Sequence, residues 1–435
     1  MKIAIIGSGI AGNVAAYHLN KEHDITLFEQ NSYIGGHTHT HLIDDVSEKS
    51  NCGKLNIDTG FIVLNDRTYP NFIKLLQELD VDIQKTEMSF SVKCEQSGLE
   101  YNGNNLDTLF AQRSNIFSPV FYRMISDILR FNREATTFIN TMHSDESLGR
   151  FLRNGHYSEM FINKYIVPMG AAIWSAKPED MFNFPARSFF KFFLNHGLLS
   201  VNDRPQWYVI KDGSNNYVHK LIKGFEDKIR TNCPVDKIVR HIDHVEIHSR
   251  KHGQRHDIER FDYVFIASHS DQALNMLQKP SAQERDTLSA IQYQKNEAVL
   301  HTDDSLLPVR KKAWAAWNYH IPQDNRSNVA LSYNMNILQG IQSNSTYCVT
   351  LNYTDQIDKD KILKTIDYHH PIFTPESIIA QDNHRLINGT GRTYYCGAYW
   401  RNGFHEDGVI STINALSHFK QDLRNEQKLS LRWAS

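Results

Sequence analysis

At 435 residues the chain is long enough to bury a sizeable core and to form two domains. Its 47 lysines and arginines are balanced by 49 acids, a net charge of −2, so no basic footprint points to nucleic acid. Five cysteines (Cys52, Cys94, Cys233, Cys348 and Cys396) lie scattered without a C-x-x-C pair, which fits a reducing compartment and argues against a disulfide framework or a cysteine zinc site.

Lys2 to Ile6 (KIAII) reads as a buried parallel strand and leaves no room for a signal peptide. It runs into Gly7-Ser8-Gly9-Ile10-Ala11-Gly12, a G-x-G-x-x-G turn, and then into a helical period over Ala11–Asn20. Asp24 to Glu29 returns as a second strand that ends in an acid. Each part has a physical reason. Gly7 permits the tight turn, Gly9 lets backbone approach a pyrophosphate, and Gly12 lets helix and strand pack closely. The helix N-terminus offers free N–H groups and partial positive charge to phosphates. Glu29 is placed to accept hydrogen bonds from ribose hydroxyls and to repel a 2′-phosphate. Strand, turn, helix and acid in this register predict a Rossmann-type dinucleotide seat.

A second glycine pair, Gly35-Gly36-His37-Thr38, follows six residues after Glu29. His37, His39 and His41 alternate along an extended stretch, but they begin inside the glycine pair and alternate with threonines, so no metal site is expected. Residues 66–204 read as mostly helical, with periodic stretches at Asn71–Leu79 and Phe121–Phe131. Arg67 and Arg204 are placed either to bind a carboxylate or phosphate or to brace a domain interface. Met181–Leu199 carries Phe182, Phe184, Phe189, Phe190, Phe192 and Phe193. Two readings stand level there: an ordinary buried helix, or a greasy channel whose Arg187 and Lys191 reach toward lipid headgroups.

Further on, Tyr217–Ile229 reads as a helix, Val235–Val239 and His244–His248 as strands, and Lys251–Arg260 as a charged hairpin tip. Phe261–Ala267 is a buried strand that returns to the nucleotide sheet. Strand-like pieces follow at Ala298–His301, Ala313–Tyr319, Val329–Met335 and Tyr347–Tyr353. Trp314, Trp317, Tyr319, Tyr333 and Trp400 are candidates for an aromatic wall. Lys295 sits in a polar stretch and reads as a surface lysine, and His369-His370, before Pro371, as a surface loop. Thr393–Tyr399 is a last strand, followed by a glycine turn and a helix over Val409–Leu423. No stretch reaches membrane-spanning length, so the expectation is a cytoplasmic protein, at most peripheral to the inner face of the membrane. The fold class is α/β, with a discontinuous nucleotide-binding domain of 1–65, 205–290 and 385–425. A mixed α+β substrate domain of 66–204 and 291–384 is inserted into it, and 426–435 forms a tail.

The glycine turn, Glu29 and the pair Gly35-Gly36 together resemble the FAD-binding pattern of flavoproteins that include amine oxidases, phytoene desaturases and protoporphyrinogen oxidase. His37 occupies the position where that pattern has arginine, and an imidazole cannot make a bidentate pair with a phosphate. The chain is more narrowly similar to bacterial proteins described as predicted NAD/FAD-binding or flavin-containing amine-oxidase-like. GGHTHT (35–40), DTGFIVLNDRTYPN (58–71), PMGAAIWS (168–175), FPARSF (184–189), RPQW (204–207), AWAAWNY (313–319) and GFHEDG (403–408) carry that likeness.

The resemblance implies a glutathione-reductase-like fold of the amine oxidase type and FAD as cofactor. It places Gly7, Gly9, Gly12, Glu29, Gly35, Gly36, His37 and Thr38 around the nucleotide, backbone at Gly60 along the flavin, and Val235 by the adenine. Gly397, Asp407 and Gly408 fall in the closing motif, where a helix N-terminus would stabilise reduced flavin. Glu406 and Asp407 suit capping of that helix equally well. Phe404 takes the place of a tyrosine that usually frames an amine, and His405 is the best candidate for a polar group facing substrate.

The leading expectation is an FAD-dependent oxidoreductase that removes hydride from a hydrophobic substrate, with a fatty-acyl chain or lipid foremost. The alternatives are a flavin amine oxidase, a redox-neutral flavin isomerase, or a non-catalytic flavin-binding partner of a lipid-modifying enzyme.

Overall fold

The computed structural model describes residues 1–45, 53–141, 146–200, 202–251, 255–323 and 329–434. Cys52 and the tip of the charged hairpin at 252–254 lie outside them. Cys94, Cys233, Cys348 and Cys396 are free and buried.

Strand β1 (Lys2–Ile6) lies at the centre of a five-stranded sheet whose neighbouring strands all run parallel. Its order is Ile229–Arg230, β2 (Asp24–Phe28), β1, Tyr263–Ile266 and Thr393–Tyr395, so segments from both ends of the chain meet in one sheet. Both faces are covered, as a parallel sheet requires. Ile3 and Ile5 of β1 join Tyr263 and Phe265 in one core, while Ala4 and Ile6 join Val264 and Ile266 in another. Helix α1 (Ile10–Leu19) covers the first face and leans on the C-terminal helix His405–Ala434, where Thr412 Oγ1 donates to the Ala11 carbonyl at 3.1 Å.

The second large sheet has seven strands, ordered Ile362–Pro371, Tyr293–His301, Cys348–Leu351, Ala330–Asn334, Trp317–Ile321, Phe90–Cys94 and Leu99–Asn102. Its pairings are antiparallel except where Trp317–Ile321 runs alongside Phe90–Cys94. Against it pack the helices of 119–195, with Phe131, Phe161, Phe189, Phe190 and Phe193 at their centre.

Residues 66–204 are mostly helical, as expected, and also hold Ile83–Thr86, Phe90–Cys94 and Leu99–Asn102, strands too short to show a period in the sequence. Three expectations about elements change. The helix expected over Tyr217–Ile229 ends at Ile222, just before Gly224, and Ile229 is already in the parallel sheet. The strands around the charged hairpin extend to Lys251 and resume at Arg255, so pairing reaches well into the segment read as a tip. The last helix starts at His405 and continues to Ala434, so residues 426–434 extend it. No described helix is long and apolar enough to cross a membrane.

Candidate active site

Gly9 caps α1 without any side-chain hydrogen bond, and no acid stands in the first turn. The leading N–H groups of the helix are therefore left for a ligand. A Cβ at Gly9 would meet nothing within 4 Å, so the space above it is open. Gly12 is the opposite case: a Cβ there would fall on the Gly7 carbonyl oxygen. Gly35 and Gly36 take φ of +130° and +60°, and a Cβ at Gly36 would stand 3.0 Å from Gly9 Cα. The second glycine pair is thus pressed against the first. Glu29 holds the turn in shape, its Oε2 accepting from Ser8 N at 2.9 Å and Ser8 Oγ at 2.7 Å, and its Oε1 from Asn31 N at 2.8 Å.

This turn opens one end of a cavity of about 920 Å³ lined by residues of both large sheets. Gly7, Gly9, Glu29, Gly35, Gly36, His37, Gly60, Val235 and Gly397 all line it, as do Phe404 and His405. The backbones of 37–39 and 59–61 are zipped together: Phe61 N donates to the His37 carbonyl at 2.7 Å and Thr59 N to that of His39 at 3.1 Å. A Cβ at Gly60 would collide with the His37 carbonyl oxygen, which explains glycine there.

Three residues expected at the nucleotide, Thr38, Asp407 and Gly408, stand behind the wall instead, while Gly12 does the close packing expected of it. Gly12 and Gly408 serve close packing, the latter against Ile10, whose Cγ2 would lie 2.7 Å from an added Cβ. Thr38 is fully buried, with its hydroxyl 2.6 Å from Tyr217 OH and 2.9 Å from His405 Nε2. Asp407 accepts from Phe404 N at 3.0 Å and so caps its own helix; burial pushes its carboxyl up to about 6. Glu406 caps a different helix, Pro70–Glu78, by accepting from Asn71 N at 3.1 Å and Phe72 N at 2.8 Å.

His405 also takes a different part from the one expected. Its Nε2 is shared between Thr38 and Tyr217 OH, the latter at 3.0 Å, and neither of these residues lines the cavity. The ring stacks on Phe61 at 3.6 Å, and burial holds its pKa well below 6.5, with His37 adding to the effect. It is a neutral wall residue that locks the start of the C-terminal helix to Thr38. Phe404 does face the cavity, stacked on Phe192 at 5.3 Å.

The far end of the cavity is apolar, with Met88, Phe90, Met169, Ile173, Phe192 and Trp317 among its walls. The phenylalanines of Met181–Leu199 divide between the two readings: Phe189, Phe190 and Phe193 are core, whereas Phe192 and Leu198 reach the cavity. Of the expected aromatic wall, Trp317 and Tyr333 line the cavity. Trp314 donates to the Pro308 carbonyl, Trp400 stacks on His384, and Tyr319 is packed in the core. Lys295 is an exposed lysine paired with Asp367 at 2.8 Å. Arg67 braces Asp203 at 2.7 Å, whereas Arg204 lines the cavity and is the only lysine or arginine among the described residues that do.

The histidines depart furthest from expectation. His369 and His370 end the strand Ile362–Pro371 and line the cavity rather than a surface loop. His37 stacks on Tyr368 at 4.9 Å, while His39 packs between Tyr33 and His41, each at 4.1 Å, so the three alternating imidazoles do not converge. Among the described residues, the group with metal-ligand spacing is a different one, His241, His244 and Glu246. Sequence reasoning missed His196, His269, Met88 and Met169 altogether. They come from four separate stretches of the chain and carry no shared spacing.

The family model for flavin-containing amine oxidoreductases matches residues 10–302, and the chain belongs to that family. Its members bind FAD, and the protein is a flavin-dependent oxidoreductase. Among solved structures, cyclohexylamine oxidase from Brevibacterium oxydans superposes with a TM-score of 0.68 at 14% identity, over 97% of this chain and 99% of that one. A fatty acid isomerase from P. acnes that produces CLA gives 0.66 at 16% identity, over 96% and 98%. A putative protoporphyrinogen oxidase from Exiguobacterium gives 0.66 at 13%, over 97% and 99%. These likenesses establish a shared fold. No curated protein matches the sequence.

Proposed function

We propose that the protein takes a hydride from the hydrocarbon part of a fatty-acyl substrate. The observation that carries this reading is the division of one cavity into a glycine-lined polar end and an apolar end that holds, among the described residues, a single lysine or arginine, Arg204. A carboxylate paired with Arg204 would leave the acyl chain along Phe192, Leu198 and Trp317. Gly7, Gly9, Gly35, Gly36, Gly60 and Gly397, with Glu29 and Val235, are the residues that would hold FAD, which supplies a hydride acceptor when bound.

The chain's own contribution is placement and dryness. Phe404 and Phe192 form a stacked pair against which a chain can lie, and the apolar walls exclude water from it. His196, also in the lining, is held down to about 4 by burial and is neutral, with its Nε2 3.2 Å from Thr68 Oγ1. An amine oxidase reading rests on the same aromatic rings, which can stack on a cation. It is weakened at Phe404, which has no hydroxyl to frame an amine.

The test is the visible flavin spectrum of the purified protein under anaerobic conditions, first with free fatty acids and acyl esters and then with amines. Bleaching by acyl compounds is the expected result. Bleaching by amines alone would replace this reading with the amine oxidase. Conversion of fatty acids without net bleaching would identify a redox-neutral isomerase, and inertness to both panels a non-catalytic partner.

A further inference from the structure

We propose that His37, His269, His369 and His370 supply the counter-charge for the dinucleotide's diphosphate by taking up about one proton as the dinucleotide binds. The proposal rests on the FAD reading above and concerns how this chain makes up for lacking an arginine beside its glycine pair.

Position carries the first part of the argument. Gly36 is pressed onto Gly9, the residue from which α1 offers its free N–H groups, and His37 comes next in the chain. His37 lines the cavity, and its Nε2 is buried without a hydrogen-bond partner. An orphaned polar atom at a phosphate-binding turn is costly unless a ligand meets it. Three further imidazoles converge on it from separate segments. The ring of His370 lies 5.3 Å from that of His37, and His269, at the start of the helix Ser270–Met276, lies 6.2 Å away. His369 stands 6.5 Å from His269.

Charge balance carries the second part. The described lining holds Glu29, Asp236 and Asp367 against Arg204. Arg204 stands with Gly197 and Trp207 rather than with the glycine turn, as Gly197 packs on its Cα. A diphosphate adds about two negative charges, and a helix N-terminus offsets about half of one. The missing positive charge must come from groups able to acquire it, and beside the turn these are the imidazoles.

With no anion near, His37, His370 and His269 are neutral: burial, with mutual repulsion behind it, lowers His37 and His370 to about 3 and His269 to about 4. An adjacent anion reverses both effects for one of them, and the neighbours then resist a second proton. The other groups facing the cluster do not supply that charge. From the strand Ile362–Pro371, Tyr368 stacks on His37 with its phenol kept protonated by burial, and Asp367 is paired with Lys295. Tyr293 stacks on His269 and is likewise held protonated by burial. Asp271 lies in the first turn of the helix that His269 caps, and His405 is neutral on the side of the C-terminal helix. Asn296 Nδ2 meets His370 Nδ1 at 2.9 Å, which occupies that nitrogen. His37, whose buried Nε2 has no partner, is the imidazole that receives the proton.

The experiment is titration of the apoprotein with FAD by calorimetry near neutral pH, in two buffers of different ionisation enthalpy, with Kd followed across about two pH units. The expected result is uptake of about one proton per FAD and a Kd that weakens about tenfold per pH unit as pH rises. His37→Arg should bind FAD with no proton uptake and a flat Kd, and His37→Gln should bind weakly and also without uptake. Thermal melts confirm that each variant is folded. FAD that binds with no proton uptake and a flat Kd overturns the proposal, as does uptake that survives in His37→Gln. A folded protein that takes up no FAD at any pH overturns the FAD reading and this proposal together.

Discussion

The two ends of the cavity are built by different rules. At the nucleotide end the working surface is backbone: the α1 N-terminus, Gly9 open to the cavity, and Gly36 packed on Gly9. At the substrate end it is side chain: Phe90 from a strand, Met169 and Phe192 from helices, and Trp317 from another strand. A backbone site tolerates almost no substitution because a single Cβ fills it. A side-chain site can be re-lined residue by residue, which lets one fold serve many substrates.

The largest effect expected from breaking this contrast is at Gly12. Gly12→Val puts a side chain onto the Gly7 carbonyl and must push α1 off the sheet. Overpacking of this kind costs about 3 kcal/mol. The variant should melt far below the wild type and purify without flavin absorbance. A variant that keeps both would show that close packing at Gly12 does not shape the turn.

A second prediction separates the sheet beneath the substrate end from the nucleotide end. His320 and His301 are buried in the seven-stranded sheet, with Nε2 atoms 3.0 Å from Ser332 Oγ and 2.7 Å from Thr350 Oγ1. Burial lowers them to about 3 and about 4. Their folded-state values lie below the unfolded value of about 6.5, so the unfolded chain binds more protons on acidification. Stability is therefore full above about pH 6.5 and falls by about 1.4 kcal/mol per pH unit per group as pH drops toward the folded-state values. His320→Gln should flatten the acid limb of the stability–pH curve by one proton in denaturant titrations. An unchanged slope would show that His320 does not stay neutral in the folded state.

The smallest expected effect is the most informative about substrate. Arg204 is exposed, so its pairing with a carboxylate is worth about 1 kcal/mol, or about fivefold in affinity. Arg204→Ala should raise KM about fivefold for free fatty acids, leave kcat unchanged, and spare acyl esters. Equal losses on acids and esters would make Arg204 a brace of the cavity mouth rather than an anchor.

How much of the site was legible differs between the ends for the same reason. The strand, glycine turn, helix and acid of residues 2–29 lie within one supersecondary unit, so their spacing in sequence is their spacing in space. Of the residues expected at the nucleotide, Thr38, Asp407 and Gly408 turned out to support the wall from behind, a difference of one side-chain layer that motif spacing does not encode. His369 and His370 looked like a loop because a proline follows them. In the fold, Pro371 is the last residue of an edge strand, where a missing N–H is tolerated.

By itself, the sequence determined the strand–turn–helix–strand unit of residues 2–29, the dinucleotide turn and the flavin family, because these rest on local contacts and on glycines whose backbone conformation is their function. Only the tertiary structure decided which phenylalanines are core and which line the cavity, that the Nε2 of His405 is tied to Thr38 and Tyr217 behind the cavity wall, and that four histidines meet beside the glycine turn. Those outcomes depend on which faces of distant strands and helices are brought together, and no periodicity along the chain records that.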